Sequence, residues 1–240
     1  MNKRDFIKNG IAGVIGIAIV PSLAKAESVS KKAWLRIPSI SEKIESLSGF
    51  LSRENIKIHY EEIFLAEAGK LKAFFNRHTS TGIRNAKDIF TDAENYTVEQ
   101  LENAGSFFNH KLFWKSLNSK NSTSPSSRLL SAINNNFGSV EQLMTVFNRK
   151  AIENTNGWTW LVLKPGNKLT IVNTENNQNP FFSTIESEKQ GFPLIGLDMW
   201  EHAYYLDYTY KKEKYVNSFW DFLDWNFIDK RYLRGRKRFK

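Results

Sequence analysis

The chain has 240 residues, 41% of them apolar and 14% aromatic, with a formal charge of +9. That is long enough for one domain with a sizeable core, or two small ones packed together. It has no cysteine, which excludes disulfides, zinc–thiolate sites, iron–sulfur clusters, cysteine nucleophiles and a lipid-anchored lipoprotein.

The N-terminus reads as an export signal. Asn2 to Lys8 is a basic leader, Ile11 to Val20 an apolar run, and Ala24-Lys25-Ala26 a small-x-small cleavage site. The run is short for a membrane span; an uncleaved anchor helix is the alternative. Lys3-Arg4-Asp5-Phe6-Ile7-Lys8 is also similar to a twin-arginine signal with Lys in the first position, the Sec route being the other choice. Residues 27–51 are a polar linker.

Residues 52–76 have helical periodicity, with Ser52 as N-cap and Ile56, Ile63, Phe64, Leu71, Phe74 and Phe75 as the apolar stripe. Residues 77–96 are polar and read as loop. Thr97-Val98-Glu99-Gln100 is a capping box opening a second helix to about Leu117. Asn118 to Ser127 is a Ser/Asn/Pro-rich break. Helices follow near Arg128–Asn135 and from Ser139. Trp158 to Leu163 and Lys168 to Asn173 are strands around the turn Lys164-Pro165-Gly166-Asn167, and residues 192–198 form a third strand. Lys211 to Asp229 is aromatic-rich and helical.

The pattern is α+β: an N-terminal antiparallel helical hairpin at 52–122, then a C-terminal α/β domain at 123–229 with a small three-stranded antiparallel sheet and surrounding helices. Residues 1–26 hold four basic residues against Asp5, and the tail at 230–240 holds seven with no acid. The body between is therefore near neutral, and the positive charge does not describe a nucleic-acid face. The tail is either a solvated, frayed terminus or a tether to an anionic envelope surface or an acidic protein.

Asp198-Met199-Trp200-Glu201-His202-Ala203-Tyr204-Tyr205 sets a carboxylate and an imidazole four residues apart among aromatics. Both can ligate a mid-row metal. Such a pair alone is most often an ordinary helix-surface pair, but histidine is scarce here: the chain has only His59, His78, His110 and His202.

D-M-W-E-H-A-Y-Y resembles the D-x-W-E-H-A-Y-Y motif of the iron/manganese superoxide dismutases. So do Asn109-His110-Lys111-Leu112-Phe113-Trp114, His59 in the first helix, and Gly157-Trp158-Thr159-Trp160-Leu161-Val162; the likeness runs from about residue 35 to 228. The resemblance implies His59, His110, Asp198 and His202 as ligands of one iron or manganese ion. It implies disproportionation of superoxide to dioxygen and hydrogen peroxide, and a homodimer through Glu201 and His202.

The surroundings of that implied site depart from the family. On an α-helix His59, Ile63 and Glu67 form one stripe. The family usually has His and Tyr at the latter two positions, lining the substrate funnel. Ile63 reads as core, and Glu67 as a surface charge, a proton donor or an extra ligand. Where the family supplies a glutamine to metal-bound solvent, this chain has Asn177 in one segment and Ser106 in the other, with Gln178 next to Asn177. Asn177, Glu67 and Tyr205 are thus the candidate catalytic residues beside the metal ligands. The leading expectation is an exported dismutase; the alternative is a dismutase-fold metal-binding or structural subunit with little or no such activity.

Overall fold

The computed structural model describes residues 35–41, 43–77, 86–120 and 123–239. The export signal and His78 lie outside them.

Ser52 caps the first helix, its side chain accepting from the Asn55 N–H at 3.1 Å. This helix, α1, runs in three stretches: Arg53–Ile56, a π-helical stretch Lys57–Phe64, and Leu65–Arg77. A π-helix bonds i to i+5 and so carries more residues per turn. One row of buried positions records this: Ile56, His59, Phe64, Ala68, Leu71 and Phe75, with a five-residue step from His59 to Phe64 and ordinary α steps after it; Asn55 and Ile58 are buried beside that row. Ile63, expected in the core, is only half-buried, because the wide turn gives its place to Phe64.

The stretch read as loop at 77–96 contains a short helix, α2 (Ala86–Thr91). Its Ile89 and Phe90 are buried, and Phe90 stacks on Phe182 at 4.7 Å, so packing overrides a polar local composition. The Thr97–Gln100 capping box forms in both directions and starts α3 (Val98–Ser116). Then come α4 (Ser127–Phe137) and α5 (Val140–Glu153), capped by Ser126 and Ser139.

Three strands follow: β1 (Gly157–Leu163), β2 (Leu169–Glu175) and β3 (Phe192–Asp198), antiparallel in the order β2-β1-β3. β1 is buried at all seven positions. Helices cover the sheet: α3 packs on β3, α5 on β1 and β2. At the sheet's end Trp158 of β1 pairs with Thr174 on one side and Asp198 on the other, which fixes where β3 delivers its carboxylate. A short helix, α6 (Glu201–Tyr208), follows at once.

The expected helix at 211–229 is two helices, α7 (Lys212–Asp221) and α8 (Trp225–Arg238). Asp224 breaks and restarts the chain, its side chain accepting from Phe227 N–H at 3.1 Å. α8 continues through the basic tail. Tyr232 and Gly235 are buried, Arg231 donates from Nε to the Pro193 carbonyl at 3.0 Å and lies over the Phe192 ring, and a Cβ on Gly235 would meet that ring at 2.8 Å. The tail is therefore a docked helix, not a frayed end.

Likewise residues 35–51 are more than a linker. Leu35, Ile40, Leu47, Phe50 and Leu51 are buried, and Lys43 Nζ donates to the Leu117 carbonyl at 2.7 Å. One cluster of buried apolar side chains takes in these residues, α1, α3, the sheet and α8. The break at 118–126 thus separates stretches of sequence that share a core.

Candidate metal centre

His59 comes from the π-helical stretch of α1, His110 from the middle of α3, Asp198 from the end of β3, and His202 from the first turn of α6. Four donor atoms, one from each, lie within 4.8 Å of one another. Asp198 Oδ2 is 3.2 Å from His59 Nε2, 3.4 Å from His110 Nε2 and 3.2 Å from His202 Nε2. An ion held at about 2.1 Å by imidazole and carboxylate donors sets neighbouring donors about 3.0–3.6 Å apart, so the spacing fits.

Backbone groups aim these donors. Asp198 Oδ1 accepts from the Trp200 N–H at 2.9 Å, which leaves Oδ2 for the cluster. His110 Nδ1 is 2.9 Å from the Ser106 carbonyl, one helical turn back, and 3.2 Å from the Ser106 hydroxyl. A carbonyl can only accept, so Nδ1 carries the proton and Nε2 presents its lone pair to the centre. Ser106 thus orients the His110 imidazole.

The electrostatics favour a cation. Burial alone would raise the Asp198 carboxyl, but the imidazoles of His202, His110 and His59 that face it hold it well below the usual range. Burial drives the His59 imidazole down to about 3 against the pull of Asp198, so His59 is neutral and able to ligate. His59 Nε2 and His110 Nε2 are buried without a hydrogen-bond partner, their contacts to Asp198 being close but misdirected. A buried polar atom left unpaired costs about 1–3 kcal/mol. A shared ion satisfies both at once, and one carboxylate with three imidazoles is a donor set suited to iron or manganese.

Aromatic rings wall the cluster. Trp114 and Phe113 meet the His59 ring at 4.9 and 5.3 Å, Trp158 meets His110 edge-on at 5.1 Å, and Phe64 stacks on His110 at 5.9 Å. Nothing in the sequence pattern predicted that Phe64 would face the site, because an α-helical stripe assigns the place to Ile63.

The other expected site residues make contacts of their own, and among the described residues neither Glu67 nor Glu201 adds a donor atom to the cluster. Glu67 Oε1 accepts from Lys70 Nζ at 2.9 Å. Tyr205 is half-buried against the core. Glu201 is exposed on the chain's own surface. Asn177 donates its side-chain Nδ2 to Glu102 Oε2 at 3.0 Å, and its backbone N–H to the same oxygen at 3.3 Å. The Gln178 carbonyl accepts from Thr174 Oγ1 at 2.8 Å and from Asn109 Nδ2 at 3.4 Å. Glu102 escaped sequence reasoning, as did Asn109 as a tie between α3 and this loop.

The loop rests directly on the ligand helix. A Cβ on Gly105 would lie 2.1 Å from the Asn177 carbonyl oxygen. Gly105→Ala is therefore expected to push the 176–178 segment off α3 and lower stability by about 1–3 kcal/mol, as overpacking does; a urea melt checks it.

Residues 125–231 match the family model for the C-terminal domain of iron/manganese superoxide dismutases. The manganese superoxide dismutase of Acinetobacter baylyi is 32% identical over 213 residues, which cover 88% of this chain and 92% of that one. The chain belongs to the iron/manganese superoxide dismutase family. Manganese superoxide dismutases of Yersinia enterocolitica (30% over 205 residues, 83% of this chain and 98% of that one) and Escherichia coli K12 (31% over 195 residues, 79% and 93%) are similar to it over the same body. The expected α+β fold with its three-stranded antiparallel sheet is the fold found. Proteins of this dismutase family bind one iron or manganese ion, and His59, His110, Asp198 and His202 are the described residues that could hold it.

Proposed function

We propose that the chain is a superoxide dismutase of the cell envelope, with His59, His110, Asp198 and His202 holding one iron or manganese ion. The observation that carries this is the convergence of four donor atoms within 4.8 Å, two of them buried imidazole nitrogens with no other partner. When bound, the ion supplies the one-electron couple that disproportionation of superoxide to dioxygen and hydrogen peroxide requires. The chain's residues do the rest. Asp198 would offset the ion's charge, the Ser106 carbonyl orients His110, and the Phe64, Phe113, Trp114 and Trp158 rings pack against the ligand imidazoles. Purified metal-loaded protein should contain one ion per chain and consume superoxide. Iron or manganese bound without turnover would favour the second reading, a metal-binding subunit. That reading draws support from Phe64 over His110, where a proton-relaying side chain is absent, and from the Asn177 amide being held by Glu102.

Pairing of two copies through Glu201 and His202 belongs to the same proposal. Glu201 is exposed, and the His202 side chain is the most accessible of the four ligands at 15%. Glu201→Ala should shift sedimentation from dimer to monomer; a monomeric unaltered protein would rule the pairing out.

Export rests on the N-terminal pattern, and mature protein is expected to begin at Glu27, which N-terminal sequencing of envelope material decides. Attachment there rests on α8. Lys230, Leu233, Arg234 and Lys237 are exposed at helical spacing on one face. Each cation near an anionic membrane contributes about 1 kcal/mol. Deleting 230–240 would also remove the buried Tyr232 and the bond from Arg231 to the Pro193 carbonyl, so reversing charge at Lys230, Arg234 and Lys237 is the cleaner variant. It is expected to abolish binding to anionic lipid vesicles at low salt while leaving metal content intact. Equal binding by both proteins would reduce the basic face to a solubilising one.

A further inference from the structure

The dismutase reading leaves one half-buried carboxylate on the helix that carries His110 without a role. Glu102 lies on α3, two turns before His110, and its Oε2 takes both the backbone and side-chain N–H of Asn177. The same segment is held to α3 at two further points. Asn109 Nδ2 donates to the Asn177 carbonyl at 3.1 Å, and Gly105 lets that carbonyl approach the helix closer than any side chain would permit. Gly105 and Asn109 flank the turn whose carbonyl orients His110. Glu102 is half-buried, and burial raises its carboxyl above the usual range, aided by the Glu67 charge and opposed by the two Asn177 bonds. A carboxylate kept in such a place has to be paid for by its partners, and Asn177 supplies both hydrogen bonds.

Resting on the dismutase reading, we propose that Glu102 is a positioning residue for the metal centre, acting through Asn177. It commits one of the two amide hydrogens of Asn177 and fixes the side-chain torsion, and through the bond from Asn109 to the Asn177 carbonyl it holds this loop against the residue that precedes the ligand His110. Residues that hydrogen-bond near a metal tune its potential and the basicity of its bound groups. Glu102 is thus a determinant of potential lying outside the ligand set, and the substitution that matters is as much at residue 102 as at residue 177.

The test compares Glu102→Ala, Glu102→Gln and Asn177→Ala in the full-length, metal-loaded protein, reading the reduction potential and the absorption change on azide binding, with thermal midpoints as the control for folding. Glu102→Ala is expected to shift both readouts. Glu102→Gln, which keeps an acceptor for the Asn177 amide, is expected to recover most of the azide response. Combined with Asn177→Ala, the Glu102→Ala change should add no further shift, since coupled residues are non-additive. An additive double variant, or wild-type readouts in Glu102→Ala, overturns the proposal. If wild-type protein takes up neither iron nor manganese, the dismutase reading itself fails. The hydrogen bond is then read in the metal-free protein, where the Asn177 side-chain amide resonances should follow Glu102 titration and cease to do so in Glu102→Gln. Resonances indifferent to Glu102 overturn it.

Discussion

Asp198→Ala is expected to strip the protein of metal. Asp198 is fully buried and contributes the one anionic donor of the cluster, its Oδ2 facing three imidazole nitrogens at 3.2–3.4 Å. Without it a multivalent cation would sit in an aromatic pocket with only neutral ligands, an arrangement for which desolvation is not compensated. Loss of a group that merely supports a ligand lowers metal affinity about 10–100-fold; loss of the anionic ligand should exceed the upper end of that range. The substitution also removes the acceptor of the Trp200 N–H, adding about 1–3 kcal/mol of instability. Metal analysis after dialysis reads the first effect and a denaturant melt the second. Wild-type metal content in the variant would mean that the ion is held elsewhere.

Trp158→Ala should cause the largest loss of stability among the residues lining the centre. Its ring is fully buried, meets His110 edge-on at 5.1 Å and stacks on Trp160 at 5.6 Å. Truncating a buried tryptophan costs about 3–5 kcal/mol. At roughly 2–4 °C per kcal/mol for a domain of this size, the midpoint should fall by about 6–20 °C. The cavity would open beside a ligand, so metal content should fall as well, whereas Trp158→Phe should preserve more of both. A midpoint within about 2 °C of wild type, well below that range, would show that the ring does not brace His110.

What could be read from the sequence was what depends on residue type or on near neighbours. The caps at Ser52, Thr97, Ser126 and Ser139 are local hydrogen bonds; Ser52 and Thr97 were legible as caps and Ser139 as a helix start. The metal donors were legible because histidine is rare and sits in recognisable surroundings. The wide turn of α1 was not, because inserting one residue into a helix leaves composition unchanged and only the packing of Phe64 on His110 reveals it. Glu102 was illegible for a different reason. A glutamate on a helix reads as a solvated charge, and its partner Asn177 is 75 residues away in sequence. Residues 35–51 and 230–239 looked polar because their buried side chains are widely spaced among charged ones. Leu35, Ile40 and Leu47 in one, and Tyr232 and Gly235 in the other, are anchors that only tertiary contact identifies.

The order in which the donors occur along the chain constrains when the centre can come into being. His59 lies near the start of the described body, while Asp198 and His202 follow 139 and 143 residues later. Bringing such distant points together carries a chain-closure entropy of about 4 kcal/mol beyond a constant, and contacts of this separation form late. The nascent polypeptide therefore cannot capture its ion until the strand bearing Asp198 has been made and docked. Metal acquisition becomes an event of the nearly finished protein, and the ions present where folding is completed determine which one is on offer.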